Sequence, residues 1–168
     1  MSEQVRILGV DPGIALAGYG IIEGTPQRMR LVQYGALETG SDLTLPQRLH
    51  LLYRGLTSLI QTYHPQEIAV EELFFRRNVT NAFSVGQARG VILLSAEEQG
   101  LSYYQYTPAQ VKQAVTGYGK ADKAQIQQMV RVLLGLTAIP KPDDAADALA
   151  IAICHLQHSG WRGKVGAR

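Results

Sequence analysis

The chain has 168 residues, of which 46% are hydrophobic and 18% charged, and its net charge is +2. That is one domain's worth of chain with a core of its own, a charge too small to argue by itself for a polyanionic partner, and no apolar stretch near the ~18 residues of a membrane-crossing helix. Three of the sixteen basic residues, Arg162, Lys164 and Arg168, lie in an acid-free tail, which leaves thirteen against fourteen acids in the body, so polyanion binding must come from local clustering. Cys154 is the single cysteine, which excludes an internal disulfide and fits a reducing compartment. No basic flank, apolar core and small-residue cleavage site open the chain, and a cytoplasmic location is expected.

Ile7-Leu8-Gly9-Val10-Asp11-Pro12-Gly13 reads as a buried strand that stops at a turn, with Asp11 at its tip because Pro12 cannot continue a ladder. Gly18 to Glu23 and Arg30 to Thr39 extend it into a meander around Gly24-Thr25-Pro26. Thr44 caps a helix opened by Leu45-Pro46; Leu45, Leu49, Leu52, Leu56, Leu59 and Ile60 form its apolar face, and His64-Pro65 ends it. Glu67 to Phe74 is a strand expected to run parallel to the first after the helical crossover. Asn78 to Glu98 reads as a long helix stopped by Gly100, with Gly86, Ala88 and Gly90 making a small-residue surface.

Ser102 to Tyr106 is a fifth strand, and Thr107-Pro108 opens a helix that ends near Thr116-Gly117. Ile126, Met129, Val130, Leu133 and Leu134 mark an amphipathic helix, and the stretch from Asp143 to His158 is apolar nearly all round, as a buried helix is. The order β-β-β-α-β-α-β-α-α-α predicts a mixed five-stranded sheet flanked by helices, in the α/β class. A single domain is expected over residues 1–160, followed by a flexible C-terminal tail over 161–168.

Acidic residues stand at three places where burial is expected. Asp144 and Asp147 are three apart and share a helix face. One aspartate is a comfortable cap, but Asp147 sits a turn inside, among alanines, where an unpaired carboxylate costs several kcal/mol. Asp11 ends one strand, and Glu71 or Glu72 ends its neighbour; strand parity alone leaves the two open. Carboxylates converging there require a counter-charge, and all-oxygen ligands suit Mg²⁺ or Mn²⁺ better than Zn²⁺. Two such ions about 4 Å apart can activate water and stabilise the leaving oxygen of a phosphodiester.

Ile7 to Gly13, Ile68-Ala69-Val70-Glu71-Glu72-Leu73-Phe74, Gly86-Gln87-Ala88-Arg89-Gly90, Val111-Lys112-Gln113, Lys120-Ala121-Asp122-Lys123 and Asp144-Ala145-Ala146-Asp147-Ala148-Leu149-Ala150 together resemble the RuvC family of bacterial Holliday-junction resolvases. The resemblance spans nearly the whole chain in order and spacing. It implies an RNase H-like fold and a homodimer that cuts four-way DNA junctions by paired symmetric nicks, with two Mg²⁺ or Mn²⁺ ions per active site and a branch-migration motor as partner, in recombination and repair. The family's four acids fall on Asp11, Glu71, Asp144 and Asp147. Asp143 is an extra acid, expected as the helix cap, and Glu72 lies where the motif requires none.

The same resemblance places phosphate contacts at Lys112 and Lys123 and a base-contacting aromatic at Phe74. Arg76, Arg77, Arg89 and Lys120 are basic residues of the same region, and Arg76, Arg77 and Lys120 join the expected DNA surface. Phe83 with Gly86, Ala88 and Gly90 is a candidate either for the dimer face or for close packing against the chain's own sheet. Two other readings of the Asp11 strand are weaker: an RNA-processing nuclease of the same fold, and an actin-like nucleotide-binding module, which needs a duplicated half that this chain lacks.

Overall fold

The computed structural model describes residues 3–72 and 79–165. β1 (Val5–Asp11), β2 (Leu16–Thr25) and β3 (Arg28–Glu38) are followed by α1 (Leu45–Tyr63), β4 (Glu67–Glu71), α2 (Val79–Glu98) and β5 (Ser102–Tyr106). Three helices complete the chain: α3 (Pro108–Thr116), α4 (Lys123–Leu133) and α5 (Asp143–Val165). The sheet order is β3-β2-β1-β4-β5, with β1 antiparallel to β2 and parallel to β4, and β5 parallel to β4. It is the expected mixed, five-stranded α/β arrangement. β2 extends two residues past each predicted end, and β3 starts two residues before the predicted Arg30 and ends at Glu38, one short of Thr39, because their pairing runs from Leu16 opposite Glu38 to Thr25 opposite Arg28.

Alternation along the central strands sorts the core into two halves. Ile7 and Ala69 face one way and pack with Leu149, Ile151, Ile153 and Leu156 of α5. Leu8, Val10, Ile68 and Val70 face the other way, against Leu52, Leu56 and Ile60 of α1 and Ala88 and Ile92 of α2. α1 carries a capping box between Thr44 and Gln47 and ends on His64 in the left-handed region, φ 52. Its face meets the sheet only from Leu49 on, so Leu45, predicted to be buried, stays exposed.

α5 lies unusually close to the sheet, because the strands beneath it carry glycine where it crosses. A Cβ on Gly9 would come within 2.1 Å of the Ala148 carbonyl oxygen, and one on Gly18 within 2.0 Å of the Asp144 carbonyl oxygen. One on Gly20 would meet the Leu149 side chain at 2.5 Å. α5 also runs to Val165, past the end predicted at His158: Gly160 does not break it, because that position packs on Pro26 of the β2–β3 turn. Residues 166–168 of the expected tail lie outside the described residues.

Candidate active site

Asp11 is the last residue of β1 and Glu71 the last of β4, one step beyond the Val10–Val70 pair of the parallel ladder. Both fall in the alternation with Ile7, Gly9 and Ala69, on the face that α5 covers. α5 starts over these strand ends and carries Asp144 in its first turn and Asp147 one turn later. Carboxylate oxygens of Asp11, Asp144 and Asp147 all lie within 4.8 Å of one another. Glu71 is not in that close triad but reaches it electrostatically, and it lines a cleft of about 190 Å³ beside Asp147.

The parity left open by sequence is decided by which face α5 occupies. Glu71 faces the aspartates, and Glu72 belongs to the α1–α2 face, where its charge acts on the Tyr103 phenol, whose pKa is raised chiefly by burial.

The electrostatics describe a site short of positive charge. Burial, then the charges of Asp147, Asp144 and Glu71, push the Asp11 carboxyl up to about 8. Burial is also the main cause of the upward shift at Glu71, with Asp147 adding to it and Lys112 opposing. Asp147 is raised by burial, against the pull of Lys123. Such a carboxylate cluster is at ease only when protonated or when cations replace the protons. Three converging carboxylates, oxygen donors throughout, with a fourth alongside, fit hard divalent cations.

Two lysines reach the cleft. Lys112 of α3 and Lys123, the first residue of α4, line it with Glu71 and Asp147. α3 and α4 are each fixed by a capping box, Thr107 with Gln110 and Asp122 with Gln125, and α3 ends on Gly117 at φ 76. These local signals hold both lysines at the rim. Lys123 Nζ stands 3.8 Å from Asp147 and 3.5 Å from Asp143.

Asp143 is not the helix cap that the sequence suggested. The Pro142 carbonyl accepts the first helical hydrogen bond, from Ala145 N at 2.9 Å, while the Asp143 carboxylate pairs with Lys141 at 3.1 Å and with Lys123. Lys141, more than any other neighbour, holds its pKa below the usual carboxylate value. Lys120 is exposed and does not line the cleft. Phe74, Arg76 and Arg77 lie outside the described residues.

Reading the sequence missed three participants. Gly9 and Gly18 set how near α5, and with it Asp144 and Asp147, approaches β1 and β2. Arg89, a basic residue to which the sequence assigns no role, has a guanidinium that donates to the backbone carbonyl of Glu71 and to the Gln105 amide oxygen, and at 2.5 Å to the Tyr103 hydroxyl. Clustered glycines in the first two strands were the available signal for the close approach. The small-residue stretch of α2 divides: Ala88 is fully buried against its own sheet, whereas nothing lies within 4 Å of a Cβ built on Gly90.

The family model described as crossover junction endodeoxyribonuclease RuvC matches residues 7–155. A protein of Brevibacillus brevis described in the same words is 56% identical over 153 residues, 91% of this chain and 92% of that one. Its counterpart in Desulfitobacterium hafniense is 57% identical over 160 residues, covering 95% and 97%. Among solved structures, T. thermophilus RuvC in complex with a Holliday junction superposes with a TM-score of 0.90 at 35% identity, over 94% of this chain and 96% of that one. The yeast mitochondrial Holliday junction resolvase Ydc2 shares the fold, with a TM-score of 0.64 at 16% identity over 96% of this chain and 82% of that one.

Proposed function

The chain belongs to the RuvC family of crossover junction endodeoxyribonucleases, and on that premise we propose that it resolves four-way DNA junctions by paired symmetric nicks, with Asp11, Glu71, Asp144 and Asp147 as its metal-binding catalytic acids. The observation that carries the reading is the convergence of three aspartates from β1 and α5 beside a cleft that Glu71, Lys112 and Lys123 line.

Two Mg²⁺ or Mn²⁺ ions per site would polarise the scissile phosphate and make water nucleophilic near neutral pH. The chain's own part is to fix the acceptors and the phosphate. Asp11, on which the charges of Asp147, Asp144 and Glu71 all act, would hold the ions together with those three residues. Lys112 and Lys123, which line the cleft with Glu71 and Asp147, would hold phosphates at the rim. Lys120, Arg76 and Arg77 extend the DNA surface, and Phe74 stacks on an unpaired base at the crossover.

The test is cleavage of a synthetic four-way junction, beside linear duplex and single-stranded RNA, with EDTA, Mg²⁺ or Mn²⁺. Paired nicks in opposite strands that need metal and are absent from duplex support the reading. Tight junction binding without cleavage under either metal leaves a binding module, and preferential cutting of RNA moves the chain to another branch of the fold.

The side of the sheet that α5 covers predicts which glutamate matters. Glu71→Gln is expected to lower nicking by at least ~10³-fold, on the order of 4 kcal/mol in the barrier, and Glu72→Gln to keep most of it. Initial rates on the junction at saturating metal decide, and the opposite ranking overturns the assignment.

Two symmetric nicks call for two sites related by a two-fold axis, hence a homodimer. On α2, Phe83, Gln87, Gly90 and Leu94 recur at helical spacing on one exposed face, with Phe83 69% and Leu94 54% accessible. We place the dimer contact there. Phe83→Asp is expected to convert the protein to monomers at micromolar concentration in analytical ultracentrifugation; an unchanged dimer removes α2 from the interface. Among the described residues no helix is long and apolar enough to cross a membrane, and a cytoplasmic site of action with a branch-migration motor as partner completes the proposal.

A further inference from the structure

We infer that Arg89 is the positioning residue of the Glu71 carboxylate: it clamps the end of β4 from the face opposite the aspartates. The inference rests on the catalytic reading of Glu71 above. Glu71 is the final residue of β4, so its side chain is held by a strand only on its N-terminal side. On the C-terminal side the Glu72 amide donates to the Tyr106 carbonyl at 2.7 Å, which among the described residues is the last bond that ties this end to β5. The carbonyl of Glu71 itself accepts a hydrogen bond from Arg89 Nη1.

The guanidinium is in turn fixed from β5. Nη2 donates to the Tyr103 hydroxyl and to the Gln105 amide oxygen, the Tyr103 hydroxyl donates to that same oxygen at 3.2 Å, and the guanidinium carbon stands 5.9 Å from the Tyr103 ring centroid. A planar fork with several fixed donors holds a backbone carbonyl better than a flexible ammonium can. The half-buried guanidinium also stands on the Glu72 face of the strand, so its charge opposes that of Glu72 rather than entering the metal site. Arg89 therefore acts on the reaction only through where it puts Glu71. Outer-shell partners of ligating carboxylates typically change metal affinity or activity 10- to 100-fold.

The experiment compares wild type, Arg89→Ala, Arg89→Lys, Glu71→Gln and the double variant Arg89→Ala/Glu71→Gln. It measures Mn²⁺ binding to the DNA-free protein by calorimetry, junction affinity in EDTA, and kcat at saturating junction. Arg89→Ala is expected to weaken Mn²⁺ binding and lower kcat by roughly 10- to 100-fold, with junction affinity within two-fold of wild type. Arg89→Lys recovers part of both losses, since one donor can still reach the Glu71 carbonyl. In the Glu71→Gln background, Arg89→Ala produces no further loss of Mn²⁺ affinity.

Equal losses of Mn²⁺ affinity in the two backgrounds overturn the inference. So does a loss confined to junction affinity, which would make Arg89 a DNA contact, or a drop in melting temperature with kcat and Mn²⁺ binding unchanged, which would make it a staple between α2 and β5. A wild-type protein that binds Mn²⁺ but leaves the junction uncut refutes the resolvase reading, while the calorimetric comparison still decides on Arg89.

Discussion

Asp11→Asn is expected to lower junction cleavage by at least ~10³-fold and, in the same protein, to raise the melting temperature measured in EDTA at pH 8. The two effects have one cause. Asp11 sits where burial and the charges of Asp147, Asp144 and Glu71 together push its carboxyl from 3.8 up to about 8. A carboxyl whose folded-state pKa lies above its unfolded value binds protons more tightly in the native state. Its contribution to stability is therefore fully present below about pH 4 and is lost as pH rises through about 8. Glu71 and Asp147 shift in the same direction and add to the trend.

Without metal, wild type should thus melt at a lower temperature at pH 8 than at pH 5, by roughly 5 °C or more for a few kcal/mol in a chain of this size. Asn removes the most strongly shifted group and should flatten that dependence. Mn²⁺ should restore the wild-type melting temperature at pH 8 and leave the Asn variant nearly unmoved, because the cation binds where the proton did. Thermal scans at the two pH values, with EDTA and with Mn²⁺, decide the matter. A wild type equally stable at both pH values without metal would mean that the carboxylates are not held together in solution.

Gly18→Ala should cost activity without touching any acid. The added methyl would stand 2.0 Å from the Asp144 carbonyl oxygen, 2.3 Å from its carbon and 2.8 Å from its Cβ. Backbone cannot swing aside as a side-chain tip can, so the start of α5 must lift from the sheet and carry Asp144 and Asp147 with it. Displacement of catalytic groups by about 1 Å can cost ~10²-fold in rate, and overpacking of this kind costs ~1–3 kcal/mol in stability.

Gly20→Ala is the comparison. Its nearest neighbour is the Leu149 side chain at 2.5 Å, a tip that can change rotamer, and it lies further from the acids. Its loss of stability should be similar or smaller and its loss of cleavage several-fold at most. Equal cleavage losses in the two variants would show that α5 responds as a rigid body wherever it is lifted.

What could be read from sequence followed local chemistry. Thr107 with Gln110, Asp122 with Gln125, and Gly117 at φ 76 announce their own helix ends, because a cap is satisfied within four residues. The Asp144/Asp147 pair was readable because Asp147 has no local reason to sit among buried alanines. What could not be read required a partner from elsewhere in the chain. Whether Glu71 or Glu72 faces the aspartates depends on which side of the sheet α5 covers. The position of Arg89 depends on β4 ending at Glu71, to whose carbonyl it donates, and Gly18 reads as turn-prone sequence until Asp144 is seen lying on it. Asp143 was misplaced because a carboxylate at the start of a helix is a good cap by type, while Lys141 and Lys123 claim it here.

The acidic group draws on residue 11, residue 71 and residues 144 and 147, and its last two members arrive on the final helix. A ribosome adding ~5–20 residues per second needs roughly 4–15 s to pass from Glu71 to Asp144. Throughout that interval the emerging polypeptide already carries Asp11 and Glu71 but lacks both the other acids and the helix that seals one face of its sheet. A prematurely terminated product stopping before residue 143 lacks both the helix that covers its sheet and two of the clustered acids. A fragment of that kind holds only half of the acidic group proposed to bind the metals, by the order in which the chain is made.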